Sequence, residues 1–554
     1  MTASKLQWYW HRLRAMDTVE IWGRVAEKTR TLTRRGELAE LEKHRLGPPR
    51  AVPLPSREQA PEGLKLAVAE EAARVMRGQW RLFGWREIQM PNPPDWARDF
   101  IHGGSAPLEG ESRAPDHRHL SEAVDCRVVW ETSRWAPMVT LAQQAWLNGD
   151  LEAARVAQCW LWDWCEKNPT GQGIHWCSAL EAGIRLIHFC WMDALIWELD
   201  DADLRAAQVR LAERVVVPHV WWIWRHRSYG SSANNHLIGE LAGLAMAGRR
   251  WGQVSALACC AERAWQMLEV EVLRQFAVDG GNREQALHYH LFALELCLQA
   301  RRWMPRTDAQ VMTRLERASA FFVTHSADGE EWPFGDSDDA FVTPLTRRPG
   351  DAGEWRDYLA GREGTGPGFW LGALPFVATE ARTQEGWQVA AESGMASRRL
   401  GSWQLRLDAS PLGFGSMAAH GHLDALHLSL WHEGRAIWVD PGTGAYYADA
   451  SLRAELADWT AHNGPVRVKG RPQPLRYGTF LWSAHHPAPR LEMQEEDAVA
   501  MLACDGPLVV RRVVAQRDRV DVLDEVATDE PHQVTWLFAP GWSLHLVGHR
   551  AWEL

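Results

Sequence analysis

Residues 141–151 read LAQQAWLNGDL, and this stretch shows the pattern that decides the fold of the larger part of the chain. Leu141, Ala145 and Trp146 recur at the spacing of one helix face, and Asn148 and Gly149 break the run before Leu151. Similar helical runs with short breaks continue from about residue 64 to 320, which predicts eight to twelve helices in hairpins. Because no fixed-length repeat is visible, a closed or partly closed toroid of helix pairs is favoured over a regular solenoid.

The pattern changes after about residue 365, in a stretch rich in glycine and proline. Beyond it, short segments alternate apolar and polar residues or are rich in β-branched residues; they include 403–408, 426–431, 436–440, 508–515 and 520–526. Such segments, separated by turn residues, predict antiparallel strands. The sequence therefore predicts a multidomain α+β protein, with a basic helical extension and connector at 1–60, a helical domain at 61–365 and a β domain at 366–554.

Charge and composition narrow the class of protein. The 554 residues carry a formal net charge of −11, which argues against binding to nucleic acid or to an acidic membrane. No apolar stretch has the length of a membrane span or of a signal peptide, so a cytoplasmic location is the default expectation, with the periplasm and secretion left open. The 33 Trp beside only 7 Tyr favour a carbohydrate ligand, since indole rings stack on sugars.

The first polar motif is GSSANNHLIGE at 230–240. Ser231 or Ser232 is predicted to cap a helix, which places Asn234, Asn235 and His236 in its first turn. Unpaired N–H groups and the helix dipole favour an anion there, and they would keep the imidazole neutral, as a base requires. The alternative is a set of ordinary capping and turn residues.

The second motif is DGGNREQALHYH at 279–290, which leads into an apolar helix. If that helix begins by Glu284, Gln285 and Tyr289 share one face at i,i+4, and Gln285 orients the phenol. A lone tyrosine at a helix start is more often structural, so this motif supports a catalytic role only in combination with the residues around it.

The third motif is HGHLD at 420–424, which we predict lies on a strand. Alternation places His420, His422 and Asp424 on one face, and a hairpin turn would bring Asp440 beside them, with His462 following later. Two or three histidines with one aspartate form an acceptable zinc ligand set. A polar strand held by hydrogen bonds is the alternative.

Together these motifs resemble the heparinase II/III family of polysaccharide lyases. The matching stretches are 234–240, 279–290, 420–424, 439–443 and 461–463, with weaker similarity around Arg134 and Trp176. The resemblance implies an N-terminal incomplete (α/α) toroid, a C-terminal antiparallel β-sandwich and β-elimination at a uronic acid in an acidic polysaccharide or oligosaccharide.

The resemblance also implies roles for individual residues. Asn235 would neutralise the substrate carboxylate, His236 and Tyr289 would serve as base and acid, and His420 would join them from the β domain. His422, Asp440 and His462 would hold a structural Zn²⁺, with Asp424 as an alternative ligand. The residues expected to bind substrate are Asn234, Arg134, Gln285 and Trp176, with Arg283 as a further cationic contact.

Two other functions remain open from the sequence. A glycoside hydrolase on a helical toroid needs two carboxylates, and Asp336, Asp338 and Asp339 are candidates for them. A non-catalytic glycan-binding or scaffold protein of an exopolysaccharide system could keep the same fold. The sequence does not decide the uronic acid (glycosaminoglycan, alginate or another polymer), internal or terminal cleavage, syn or anti elimination, or the oligomeric state.

Overall fold

Helices dominate the first two thirds of the chain. The structure, a computed structural model, describes residues 10–14, 16, 18, 20–22, 25, 45–107, 120, 123–337, 339, 341–375, 386–464, 467–468, 474–494, 497–503, 508–527, 532–542, 545–548 and 551–553. From residue 45 onward its α-helices are α1 (Glu62–Met76), α2 (Cys126–Thr132), α3 (Ala136–Asn148), α4 (Leu151–Lys167), α5 (Ala179–Trp197), α6 (Ala202–His226), α7 (Asn235–Arg250), α8 (Ser255–Gln275), α9 (Leu287–Trp303), α10 (Ala309–His325), α11 (Ala352–Leu359), α12 (Gly366–Leu371) and α13 (Ala450–Leu456). Ten of these described helices lie between residues 62 and 325, as the helical periodicity predicts.

The long helices form two layers. The inner layer consists of α3, α5, α7 and α9, each packed against the next. Each inner helix forms a hairpin with the helix that follows it, and in the outer layer α4 packs on α6 and α8 on α10. This arrangement is the predicted incomplete (α/α) toroid. Among the described helices, none combines the length and the hydropathy that crossing a bilayer would require.

Glycines allow α5 and α7 to approach closely at the centre of the toroid. A Cβ atom on Gly183 would lie 2.8 Å from the carbonyl oxygen of Gly239, and one on Gly243 would lie 2.7 Å from the carbonyl oxygen of Gly183. Nearly all residues of both helices are buried, which is the pattern of a helix inside a protein. This close packing fixes the position of the polar first turn of α7.

The C-terminal part contains two antiparallel sheets. Their strands are β3 (Gln388–Ala390), β4 (Met395–Leu400), β5 (Trp403–Asp408), β6 (Leu428–His432) and β7 (Arg435–Trp438) in one sheet, and β9 (Arg490–Gln494), β10 (Asp497–Ala503), β11 (Leu508–Ala515) and β12 (Val520–Val526) in the other. Shorter pairs join β1 (Gln79–Leu82) to β2 (Arg86–Gln89), β8 (Arg467–Val468) to β13 (His532–Gln533), and β14 (His545–Gly548) to β15 (Ala551–Glu553).

The two larger sheets share one core and form a sandwich. Leu405, Leu407 and Leu430 from the first sheet pack in the same apolar cluster as Leu502 and Val513 from the second. The predicted strands at 403–408, 508–515 and 520–526 match β5, β11 and β12 in full, whereas those at 426–431 and 436–440 begin or end up to two residues away from β6 and β7. These results confirm the antiparallel β-sandwich.

Candidate active site

The first turn of α7 carries three polar side chains toward the β-sandwich. The helix begins at Asn235 and its N-cap is Asn234, whose Oδ1 accepts a 3.2 Å hydrogen bond from the backbone N–H of His236. The predicted cap, Ser231 or Ser232, is wrong, because both serines belong to a separate 3₁₀ turn, Gly230–Ser232. An asparagine caps a helix as well as a serine does.

The predicted anion site at this helix start is occupied by the chain's own Glu284. Its carboxylate accepts the backbone N–H of Asn235 at 3.0 Å and the Nδ2 of Asn235 at 2.9 and 3.1 Å. The Nδ2 of Asn234 donates to the same carboxylate at 3.2 Å. Burial raises the pKa of Glu284, and nearby His420 and the asparagine hydrogen bonds offset this only in part. Glu284 is therefore a carboxyl group that binds a proton more readily than usual.

Tyr289 lies at the start of α9 and faces the β-sandwich. The helix begins at Leu287, and Gln285 has a φ of 55°, so the predicted i,i+4 pairing of Gln285 with Tyr289 is wrong. A turn in which Asn282 Oδ1 accepts the N–H of Glu284 at 2.9 Å delays the helix. The ring of Tyr289 stacks on His420 with the centroids 3.8 Å apart, and its hydroxyl lies 2.8 Å from that of Tyr446.

His420 lies between two buried carboxyl groups. Its Nδ1 is 2.9 Å from Asp336 Oδ2, and its Nε2 is 3.4 Å from Glu284 Oε2. The segment 420–424 is a loop that precedes β6, so the predicted strand is wrong there. Hydrogen bonds to Asp336 fix His420 and His422 without a sheet ladder.

Asp336 is fully buried and accepts four side-chain hydrogen bonds. The donors are His420, His422 at 3.0 Å, Thr443 at 3.0 Å and Arg453 at 2.5 Å. Burial opposes its ionisation, but the charge of Arg453 and the histidine hydrogen bonds outweigh that cost and hold the pKa of Asp336 well below its usual range. A carboxylate fixed in this state cannot serve as the general acid of a hydrolase.

The other acidic residues considered for hydrolysis give no second carboxylate at this place. Asp338 lies outside the described residues. Asp339 is partly exposed and pairs with His288 at 3.3 Å, and Ser337 and His288 bring its pKa down to about 2 despite the opposing effect of burial. The pair of carboxylates that a glycoside hydrolase needs is therefore not formed by the described residues of this loop.

Cationic groups surround the two tyrosines. The guanidinium groups of Arg453 and Arg127 lie 4.5 and 4.7 Å from the ring centroid of Tyr446. Burial alone would lower the pKa of Arg453, but Asp336, Tyr446 and Tyr289 raise it above its usual value. Arg453 therefore lies beside both phenols and connects them to Asp336.

A second cluster, His422, Asp440 and His462, lies directly behind Asp336. One ligand atom from each residue lies within 4.8 Å of the others, and all three residues are buried. Nδ1 of His422 and Nε2 of His462 have no hydrogen-bond partner, and Nδ1 of His462 lies 3.4 Å from Asp440 Oδ2. Buried histidine nitrogens without a partner are expected of side chains that bind a metal ion. His422 directs its Nε2 to Asp336, the arrangement that commonly orients a metal-ligating histidine. Asp424 is outside this triad.

Sequence comparisons agree with this architecture. A model of the heparinase II/III N-terminus matches residues 116–314, and a model of the heparinase II/III-like C-terminal domain matches residues 382–551. Together they span most of the chain. The chain belongs to the heparinase II/III-like family. Its members are polysaccharide lyases, and this protein is therefore a polysaccharide lyase. No curated protein sequence matches it.

Solved structures share the fold of this heparinase II/III-like lyase. A heparinase III structure is 15% identical, with 88% of this chain and 74% of that chain aligned at a TM-score of 0.59. A mutant heparan sulfate lyase from Pedobacter heparinus is 17% identical, with 83% and 68% aligned at a TM-score of 0.51. At these identities the likeness establishes the toroid and the sandwich.

The residues expected to bind substrate lie in different surroundings. Arg134 is buried, and it forms a bidentate pair with Glu181 at 2.8 and 2.9 Å, so its charge is already neutralised. Trp176 is 1% exposed and packs on Trp222 and His219, which leaves no ring face for a sugar. Neither placement supports direct contact with a glycan.

His236 and the remaining expected contacts lie nearer the domain boundary. His236 is half-buried on α7. Burial opposes ionisation of nearby Glu181, but Arg134 and then Arg185, with a smaller contribution from His236, lower the pKa of that carboxyl. Gln285 and Arg283 line a cleft of about 460 Å³, together with Arg274 from the toroid and Phe414 from the β domain. Arg283 and Gln285 are the chain neighbours of Glu284, so the cleft lies next to the segment that binds the start of α7.

Sequence reasoning missed three residues of the site and misassigned one. Glu284 was part of a quoted motif but received no role, and Tyr446 and Arg453 were not singled out. Asp336 was considered only as a hydrolase acid. The rarity of tyrosine, 7 in 554 residues, is the one signal that could have pointed to Tyr446.

Proposed function

We propose that this lyase cleaves a uronic-acid-containing glycan by β-elimination and leaves a 4,5-unsaturated uronate end. The observation that carries the proposal is the convergence of Tyr289, His420 and Asn235 on one buried place between the toroid and the sandwich. Tyr289 stacks on His420, and both Asn235 and His420 contact Glu284. This combination supplies proton-transfer groups beside amide donors, which elimination next to a carboxylate requires.

The elimination needs three events. The C5–H bond breaks as a base takes the proton, the electron pair forms the C4=C5 double bond, and the C4–O4 bond breaks while an acid protonates O4. Negative charge develops on the substrate carboxylate, so donors must face it. Asn235 is assigned to this task, and a protonated Glu284 would avoid placing a second negative charge beside it.

Tyr289 is assigned to proton transfer. Its hydroxyl shares a hydrogen bond with Tyr446, and Arg453 interacts with both phenols, so the hydroxyl belongs to a network through which a proton can be exchanged. His236, on the first turn of α7, is assigned as the partner acid or base. The stereochemistry of the substrate decides which of the two residues removes the C5 proton.

We infer that the His422, Asp440 and His462 triad holds a structural Zn²⁺. Nitrogen and carboxylate ligands of this kind suit zinc, which would fix the ring orientation of His422. Since His422 and His420 both hydrogen-bond to Asp336, a fixed His422 also fixes the position of His420. No step of the elimination is assigned to the metal.

The substrate is proposed to be an acidic polysaccharide or oligosaccharide. Arg274 and Arg283 line the cleft beside Gln285; Arg274 is paired with Glu271 at 2.6 Å, and Arg283 is paired with Glu392. With a net charge of −11, the protein meets the substrate's charge through such local groups and not through a general positive field.

The test is ultraviolet absorbance of the conjugated product during incubation with heparan sulfate, chondroitin, hyaluronan, alginate or polyglucuronate. Tyr289→Phe and Tyr446→Phe form a matched pair, because each removes one hydroxyl of the same 2.8 Å hydrogen bond. We expect Tyr289→Phe to lose about 100-fold or more of the turnover, in line with loss of an acid–base group, and Tyr446→Phe to lose much less. Equal losses would refute the role of Tyr289. Binding without absorbance from any polymer would favour a glycan-binding protein.

A further inference from the structure

The described N-terminal residues make contacts beside the first turn of α7, which carries Asn235. Arg12 and Glu20 are buried and pair at 3.0 Å. Arg12 also donates to the hydroxyl of Ser231 at 2.5 Å and to that of Ser232 at 3.2 Å. These serines precede the cap Asn234 by only two or three positions, so the ion pair holds the backbone that leads into α7.

The side chain of Glu20 binds the backbone of the same turn. One of its carboxylate oxygens accepts the N–H of Ser231 at 2.9 Å, and the Ser231 hydroxyl lies 2.8 and 2.9 Å from the two oxygens. Gly230 has a φ of 58°, and a Cβ there would lie 2.5 Å from Glu20. The turn and the N-terminal residues are therefore fitted closely to each other.

The neighbour of Arg12 contacts the other domain. The ring of His11 stacks on Tyr477 with the centroids 4.1 Å apart. Tyr477 belongs to a small hairpin, 475–483, closed by the bridge between Arg476 and Trp482. From the same hairpin, the ring of Phe480 lies 5.7 Å from that of His420. One turn of N-terminal helix thus touches both sides of the catalytic cleft.

We propose that residues 10–14 and Glu20 form a clamp across one end of the catalytic cleft, so that the enzyme attacks glycan chains from an end. Arg12 and Glu20 are positioning residues for the turn before Asn235, and His11 holds the 475–483 hairpin. This inference rests on the proposed lyase function. It concerns a segment that lies before the part of the chain matched by the family models, which begins at residue 116.

The position of the clamp would restrict the enzyme to cleavage at chain ends. Consecutive residues His11 and Arg12 contact Tyr477 of the β domain and Ser231 of the toroid, and adjacent Cα atoms are about 3.8 Å apart, so this segment bridges the two domains at this place. The cleft at Arg274, Gln285 and Phe414 provides an opening on the side of Glu284. A chain end can enter there, whereas a continuous polymer cannot pass through the clamp.

Hydrogen exchange tests the clamp without any substrate. In Glu20→Ala we expect the peptide that contains Ser231 and Asn235 to exchange at least tenfold faster than in the unaltered protein. Glu20→Gln, which keeps the shape of the side chain, serves if the alanine variant does not fold. Arg14→Ala is the matched control, since Arg14 is exposed and its guanidinium group lies over the ring of Trp10. Unchanged exchange in both Glu20 variants would overturn the clamp.

Product length tests the end restriction on the polymer that gives the largest absorbance rise. For the unaltered enzyme, we expect short products from the start and a slow fall in viscosity. In Arg12→Ala and His11→Ala, the viscosity should fall at least threefold faster per bond cleaved, while Arg14→Ala keeps the original pattern. Rapid internal cleavage by the unaltered enzyme, or an identical pattern in the clamp variants, would overturn the restriction. Absence of unsaturated product throughout would refute the lyase function, and hydrogen exchange would still decide the clamp.

Discussion

Asp336→Asn is expected to destabilise the protein strongly, because it removes the charge that balances buried Arg453. The carboxylate is 0% exposed, and each of its oxygens accepts two donors. An asparagine has one oxygen and one NH₂ group, so two of the four donors would face the NH₂ group instead of an acceptor. Removing one partner of a buried ion pair costs about 3–5 kcal/mol, and we expect a loss of that size in the free energy of unfolding.

The control is Asp339→Asn in the same loop. The Asp339 side chain is 42% exposed and bonds to Ser337 and His288, so its removal should cost less than about 1 kcal/mol. Urea unfolding followed by tryptophan fluorescence, with calorimetry to detect separate domain transitions, measures both variants. A loss below about 1 kcal/mol for Asp336→Asn would refute the reasoning.

Acid titration gives the same prediction a second readout. The folded-state pKa of Asp336 is held well below its usual range, so its stabilisation is present in full above about pH 4 to 5 and is lost as the pH falls further. The unaltered protein should therefore lose stability more steeply on acidification than Asp336→Asn does. Parallel stability curves below pH 4 would show that the carboxylate is not selectively stabilised by folding.

Three further predictions concern the metal, a buried carboxyl group and helix packing. Removal of bound metal by a chelator, or His462→Ala, should lower both the metal content and the melting temperature, whereas His432→Ala should lower neither. An unchanged melting temperature after complete metal removal would contradict the structural role of the metal. Burial raises the pKa of Glu295 from 4.5 to about 8. The free energy of unfolding should therefore fall as the pH rises between those values. Glu295→Gln should show a smaller difference than the unaltered protein between urea unfolding at pH 5.5 and at pH 8.5. Gly183→Ala should cost about 1–3 kcal/mol, because its Cβ would meet the backbone of α7, whereas Gly63→Ala in α1, with open space around it, should be neutral or stabilising by up to about 1 kcal/mol.

The layers of the fold were accessible from the sequence because they depend on local periodicity. Helical spacing in segments such as 141–151 and alternation in 403–408 are properties of neighbouring residues, and both segments adopt the predicted element. The three motifs were also found, because clusters of Asn, His and Asp within a few positions stand out in an apolar context. His422, Asp440 and His462 meet in space as predicted, although 420–424 forms a loop.

The contacts between residues inside the site could not be predicted from the sequence, because the partners are far apart in the chain. Glu284 caps a helix that starts 49 residues earlier, and Tyr446 lies 157 residues after Tyr289. Local spacing contains no information about such contacts. The same limit explains Arg134, which is exposed to no substrate because Glu181, 47 residues away, already binds its guanidinium group.

The contacts of His420 restrict how charge is distributed in the proposed reaction. Asp336 is held ionised 2.9 Å from His420 Nδ1, and His420 Nε2 lies 3.4 Å from Glu284 Oε2. Because burial raises the pKa of Glu284, an incoming uronate carboxylate would raise it further by repulsion between like charges. Substrate binding would then keep a proton on Glu284 and free Asn235 from an ionic partner. On this reasoning Glu284 prepares the amide of Asn235 for the developing negative charge, which is why a carboxylate occupies the helix start in the free protein.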